Sequence, residues 1–349
     1  MEKILEEIIN NTCTLMEFVT IKENYNEFEK AFTFIKKELK GYYIVEKEVN
    51  QYPNLIISNT KEKELDIIFC CHIDVVPCKE YKGIIENNKL KGRGSFDMKG
   101  QLSTIISLLK NNTSTKKIAL IITSDEEIGG KCCQEIMKEY SSSLAIIPDA
   151  GKNFSLIVEE KGLLQIELKV KGISSHASSP FEGENAILKA MNIYQKLLEK
   201  YPMPKDKNDF KTSINLSKLH GGDTMNKVCD EAILSLDIRF SKETNIEKIL
   251  KDLKEIGGYE ELNIIDQGPM FYVDDKIPMI EEFKKNAKKI LGHDLIIEKC
   301  LATSDAIYFS EKEIPVIMMN PVGDYWHHPK EYVEIDSLYT LYQLLQTII

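Results

Sequence analysis

Apolar positions recur at intervals of three and four over residues 2–18 and 26–39, the spacing of one helix face. Short, unbroken apolar runs then take over. Tyr42–Lys47, Asn54–Ser58, Leu65–Ile73, Ile118–Thr123 and Leu144–Ile147 read as strands. Ile118–Thr123 is β-branched and uninterrupted, the pattern of a strand covered on both faces. Between the strands, Asp97–Leu109 and Gly130–Tyr140 return to helical spacing. Strand and helix in alternation predict an α/β fold with a mostly parallel sheet.

The pattern changes near residue 158. Gly162–Val170 alternates strictly, with Leu164, Ile166, Leu168 and Val170 on one face and Leu163, Gln165, Glu167 and Lys169 on the other. A helix over Glu184–Lys200, strands over Ser213–Lys218 and Ala232–Phe240, a helix over Ile246–Ile256 and a strand over Glu261–Asp266 follow. Helix and buried-strand signals resume at Met279–Leu291, Leu295–Glu298, Asp305–Ser310, Val316–Met319 and Ile335–Ile348. The expected organisation is a discontinuous α/β domain, 1–157 plus 274–349, interrupted by a smaller α+β domain, 158–273.

Length agrees with two domains, since 349 residues exceed one ordinary core. A net charge of −10 argues against a nucleic-acid partner, which selects a basic face. No apolar run approaches the ~18 residues of a membrane span. The amphipathic start MEKILEEIINN is unlike a signal peptide. Eight cysteines, including the vicinal pairs Cys70–Cys71 and Cys132–Cys133, form no C-x-x-C motif. They read as free structural thiols of a reducing cytoplasm. Of 45 basic residues only Arg93 and Arg239 are arginine. A planar, two-pronged donor is therefore available at just two positions.

Candidate chemistry gathers where apolar runs end. LDIIFCCHIDVVP presents His72 and Asp74, and LKGRGSFDMKGQ presents Asp97. TSDEEIGG presents Glu126 and Glu127, LAIIPDAG presents Asp149, and VGDYWHHPKEYV presents His327 and His328. Taken locally, Ser124 and Glu127 fit a helix capping box. Taken together, strands lying side by side would bring these carboxyl-end residues into one place, where open α/β sheets carry their chemistry. Two imidazoles and three carboxylates form a nitrogen–oxygen donor set without thiolate. Such a set favours zinc, with cobalt or manganese as alternatives. Five ligands exceed the need of one tetrahedral ion and suit two ions sharing a carboxylate. Asp74, two residues after His72, can accept the other ring N–H.

The motifs H-x-D-x-V-P, G-R-G-x-x-D-M-K-G, D-E-E-x-G and H-x-P-x-E-Y occur here in that order. The chain resembles a dinuclear zinc hydrolase superfamily that includes acetylornithine deacetylase, succinyl-diaminopimelate desuccinylase, aminoacylase, glutamate carboxypeptidase and several cytosolic dipeptidases. The resemblance implies a zinc-peptidase-like α/β domain interrupted by a lid or dimerisation domain. It implies His72, Asp97, Glu127, Asp149 and His327 as metal ligands, with Asp97 bridging and preceding a cis peptide to Met98. Asp74 would orient His72. Glu126 would be the general base for a metal-activated water, and His328 is the less favoured histidine.

By the same resemblance, His176 in KVKGISSHASSP stabilises an oxyanion, often across a dimer. Asn226 and Arg239 would contact substrate, and Thr303 and Ser304 would line its site. Arg93 is expected to pack beside the centre, and His220 and His293 fit no motif. The implied activity is cleavage of the amide bond of an N-acyl-amino acid by a cytoplasmic homodimer. A dipeptidase or carboxypeptidase acting on small peptides is the rival, and a metal-binding protein without turnover the remote one. Asp149, where some members carry glutamate, leans toward the peptidases. Ile307, where several members carry arginine, weakens the case for a dicarboxylate substrate.

Overall fold

The computed structural model describes residues 2–206 and 208–349. It comprises two compact units. The first joins Met1–Glu159, Val273–Cys300 and Ser304–Ile349, and the second joins Glu160–Tyr272 and Leu301–Thr303.

A six-stranded sheet runs through the first unit, in the spatial order Tyr43–Val49, Tyr52–Ser58, Ile118–Thr123, Glu64–His72, Ser141–Ile146, Val316–Ile317. The last four strands are mutually parallel. Tyr52–Ser58 runs antiparallel to Ile118–Thr123 and forms a hairpin with Tyr43–Val49. Asn50 and Gln51, both at positive φ, make that hairpin's two-residue turn, the conformation that matches strand twist. Ile118–Thr123 is buried at every position.

Helix Lys99–Lys110 is buried from Lys99 to Leu109 although it carries several hydroxyls. Ser103 and Thr104 donate to the carbonyls of Lys99 and Gly100, so these polar groups enter the core satisfied. This helix packs on Glu64–His72 and against the helices Glu2–Glu17 and Ile335–Gln346. Among the described residues, no helix is long and apolar enough to cross a membrane.

The expected capping box at Ser124 does not form. The Ser124 hydroxyl donates to the Pro53 carbonyl, and only a single 3-10 turn follows, Glu126–Ile128. The next helix is correspondingly short, Cys132–Met137 rather than 130–140. Its N-cap residue is Lys131, and the Asp125 carboxylate, from before the 3-10 turn, accepts the N–H groups of Lys131 and Cys132. Gly130 is required here, because a Cβ would lie 1.8 Å from Asp125 Cγ.

The second unit is a four-stranded antiparallel sheet ordered Ser213–Gly221, Glu231–Phe240, Gly162–Lys171, Glu261–Gly268. The alternation along Gly162–Lys171 is realised: Leu164, Ile166, Leu168 and Val170 are buried. They share a core with Ala190, Ile193 and Leu197 of helix Ala186–Lys200 and with Ile249 and Leu253 of helix Ile246–Ile256. Each helix starts on an asparagine cap. Asn185 accepts from Ile187 and Leu188 N–H, and Asn245 accepts from Lys248 N–H.

Candidate metal centre

His72 is the last residue of its strand, and Asp149 follows Ser141–Ile146 on the neighbouring parallel strand. The 3-10 turn holding Glu126 and Glu127 follows Ile118–Thr123, the neighbour on the other side. Parallel pairing therefore delivers these side chains to one end of the sheet. His72 Nε2 lies 3.0 Å from Asp97 Oδ1 and 3.4 Å from Asp149 Oδ1. The second oxygen of Asp97 lies 3.1 Å from His327 Nε2, which lies 2.8 Å from Glu127 Oε2. Asp97 thus stands between the two imidazoles with one oxygen toward each. The peptide from Asp97 to Met98 is cis. Ligand atoms of His72, Asp97 and Glu127 fall within 4.8 Å of one another, and so do those of His72, Glu126 and Asp149.

Asp74 touches both the His72 ring and the turn carrying Glu126 and Glu127. His72 Nδ1 meets the Asp74 backbone carbonyl at 3.0 Å, with the carboxylate 3.6 Å away. That carboxylate also accepts the N–H groups of Glu126, at 3.3 Å, and Glu127, at 2.9 Å. A buried acid thus fixes the turn that presents both glutamates. The three consecutive acids divide their work: Asp125 takes the N–H groups at the start of a helix, while Glu126 and Glu127 face the cluster.

The electrostatics are those of a pocket that draws in positive charge. Burial holds the Glu126 carboxyl well above its ordinary value, and the Asp149 charge adds to this. Burial, helped by Asp97 and Glu127, raises Asp149 to about 6 against the pull of His72. Burial also opposes ionisation of Asp97, but His327 and His72 outweigh it and hold that carboxyl well below the usual range. For His72, burial disfavours the charged ring, yet Asp149 and its neighbours push the imidazole well above its usual value. Asp97 and Glu127 raise His327 to about 10. Glu127 Oε1 is buried with no hydrogen-bond partner among the described residues. An orphaned carboxylate oxygen beside two imidazoles and further carboxylates fits divalent cations, and the nitrogen–oxygen donors fit zinc, cobalt or manganese.

His328 stays outside this cluster; its Nδ1 accepts the Lys330 N–H and its ring lies by Tyr325. His220 and His293 are exposed.

In the second unit, the exposed His176 and Asn226 sit side by side. The Ala177 N–H donates to the Asn226 carbonyl, and the Asn226 side chain is engaged by the Thr224 hydroxyl. Arg239 is elsewhere. It lies at the far end of Glu231–Phe240, and Asp237 takes its guanidinium through Nε at 2.8 Å and Nη2 at 3.2 Å. Thr303 donates its hydroxyl to the Lys161 carbonyl. Ser304 belongs to the first unit and accepts the Ala306 N–H.

Three further buried residues of charged type are Asp305, Lys99 and Glu331. Asp305 accepts from Thr123 Oγ1 at 3.0 Å. Lys99 donates to the carbonyls of Leu15 and Phe18, and burial lowers it to about 7. Glu331 pairs with Arg93. Lys99 lies within the G-R-G-x-x-D-M-K-G motif. Glu331 lies within H-x-P-x-E-Y, but its partners are more than 230 positions away.

A parallel-centred sheet carrying imidazoles and carboxylates at its strand ends defines an α/β metallohydrolase. The model of Peptidase family M20/M25/M40 matches residues 68–349, so the chain belongs to that family. It is 22% identical over 355 residues to the succinyl-diaminopimelate desuccinylase of Sulfurovum sp. (strain NBC37-1), covering 96% of this chain and 97% of that one. It is 32% identical over 241 residues to the LysW-lysine/LysW-ornithine hydrolase of Sulfurisphaera tokodaii, covering 68% and 65%. Its fold is similar to that of aminopeptidase PepT from Bacillus cereus ATCC 10987, with a TM-score of 0.80 at 20% identity over 99% and 98% of the two chains. The chain is a hydrolase of amide bonds in a metal-dependent family.

Proposed function

We propose that this hydrolase cleaves the amide of an N-acyl-amino acid and frees the amino acid, with Glu126 as general base. The observation carrying the reading is the placement of Glu126. Its backbone is held by Asp74, and its ligand atoms lie within 4.8 Å of those of His72 and Asp149. A half-buried carboxyl beside another acid has an elevated proton affinity, the property a proton carrier needs. His72, Asp97, Glu127, Asp149 and His327 are the proposed ligands of two divalent ions, zinc by donor chemistry, with Asp97 shared. When bound, such ions supply Lewis acidity to the amide carbonyl and acidify the attacking water. Glu126 accepts one proton as the water oxygen bonds to the carbonyl carbon. The carbon–nitrogen bond then breaks, and Glu126 returns the proton to the departing amine.

The discontinuous first domain is the proposed catalytic part, and 158–273 the proposed lid and dimerisation domain of a cytoplasmic homodimer. His176 is the proposed oxyanion donor, and Asn226, Arg239, Thr303 and Ser304 the proposed substrate contacts. The names of the desuccinylase and LysW hydrolase relatives favour an acylated amino acid over a small peptide as substrate. A panel of acetyl-, succinyl- and glutamyl-linked amino acids alongside dipeptides and tripeptides tests this. Peptide turnover tenfold above the best acylated substrate would favour the peptidase reading. Mixing His176→Ala with Glu126→Gln protein tests action across subunits, since complementation restores activity only if the two sites combine.

A further inference from the structure

Glu331 joins the two chain segments that carry Asp97 and His327. It follows His327 by four residues and is almost fully buried, as is Arg93. Its Oε1 accepts two backbone N–H groups, from Phe96 at 3.0 Å and from Asp97 itself at 3.2 Å. Its Oε2 takes Arg93 Nη1 at 2.5 Å, and its carbonyl accepts the Gly92 N–H at 3.0 Å. One residue thereby grips both ends of the 92–97 turn, its main-chain carbonyl at Gly92 and its carboxylate at Arg93, Phe96 and Asp97. Gly94, at φ +81°, provides the left-handed residue that bends the turn. Beyond Glu331, Tyr332–Glu334 pairs with Lys89–Lys91, which fixes the register of the two segments.

A buried ion pair contributes little net stability, because desolvating two charges offsets their attraction. Removing either partner alone is costly, since it strands the other charge. Placing one of only two arginines here therefore has a positional explanation rather than an energetic one. We propose that Glu331, paired with Arg93, is a positioning residue for the metal centre. It locks the Asp97 main chain so that the two carboxylate oxygens stay divided between His72 and His327. The inference rests on the metal-centre reading above.

The test separates the backbone acceptor from the charge, using the full chain and cobalt(II) as the probe. The pair Arg93→Met with Glu331→Gln removes both charges but keeps an acceptor for the Phe96 and Asp97 N–H groups. The pair Arg93→Met with Glu331→Met removes the acceptor as well. Metal affinity is read by competition with a chelator, and coordination geometry by the cobalt absorption spectrum. The glutamine variant is expected to bind within about threefold of the unmodified protein and to keep its spectrum. The methionine variant is expected to bind about 10–100-fold more weakly, with an altered spectrum, as loss of a ligand-orienting partner does. Unchanged affinity and spectrum in the methionine variant overturn the proposal. Should that variant not fold, a loss of more than tenfold in the glutamine variant overturns it equally. Absence of cobalt binding by the unmodified protein would instead sink the metal-centre reading.

Discussion

The two units treat their polar residues in opposite ways. In the first, acids and imidazoles from five chain segments converge on a partly buried cluster, and the backbones presenting Glu126, Glu127 and Asp97 are held by other, buried acids, Asp74 and Glu331. In the second, His176, Asn226 and Arg239 make short-range contacts, largely with residues two positions away, at exposed or half-exposed sites. The two arginines show the contrast directly. Arg93 meets a carboxylate from a remote segment inside the core, whereas Arg239 meets Asp237 on its own strand. Preorganised groups cost no rearrangement at the moment of reaction. This contrast supports the proposed placement of the catalytic centre in the first unit, while the second unit's short-range contacts could be exchanged for a ligand at modest cost.

The sharpest way to break this comparison is at Glu126. Glu126→Gln is expected to lower kcat by about 10²–10⁴-fold, the range for losing a general base, while retaining metal. Steady-state kinetics with metal analysis on the same sample would check it, and near-normal turnover would remove Glu126 from its role. The next largest effect is chelation. Metal at a thousandfold excess over its Kd stabilises the folded state by about 4 kcal/mol. Calorimetry with and without EDTA should therefore show a drop in Tm confined to the first unit's transition. An equal drop in both units would contradict the contrast.

Arg239→Met is expected to cost at most about 1 kcal/mol of stability, as half-exposed ion pairs do. If Arg239 exchanges Asp237 for a substrate carboxylate, KM should rise about tenfold with kcat nearly unchanged; an unaltered KM would confine Arg239 to its strand. The smallest effect concerns acid. Burial raises the Asp237 carboxyl, but Arg239 and Gln165 outweigh it, and the net shift is downward. A group lowered on folding binds fewer protons in the native state than in the unfolded one. Its stabilisation is complete above the ordinary carboxyl range near pH 4 and is lost as pH falls below it. Arg239→Met should flatten that acid-side decline, measurable as Tm against pH between 2.5 and 5.

Local pattern accounts for much of what the chain shows. Strand Ile118–Thr123 and the alternation of Gly162–Lys171 appear where periodicity places them, because backbone pairing and side-chain period depend on neighbours in sequence. The helices after residue 184 and over Ile246–Ile256 likewise begin on asparagines with a short-range capping role. The Ser124 box failed for a reason outside any local window: Pro53, on the adjacent strand, captures the hydroxyl. Asp74 lies at the His72 ring, and its carboxylate also takes the N–H groups of the Glu126–Glu127 turn more than fifty residues away, a contact no local window shows. The central sheet is parallel only in part, because the first two strands close as a hairpin, and a hairpin needs opposite directions.

The amino-acid order alone determined which side chains of ligand type stand at the ends of apolar runs, and hence the class of chemistry this protein can support. Folding decided which of them share a hydrogen bond, which oxygen of Asp97 faces which imidazole, and that both arginines are already paired. The physical reason is range. Secondary structure is selected by interactions a few residues long, while a buried carboxylate takes whatever donor packing brings within about 3 Å, and those donors come from anywhere in the chain.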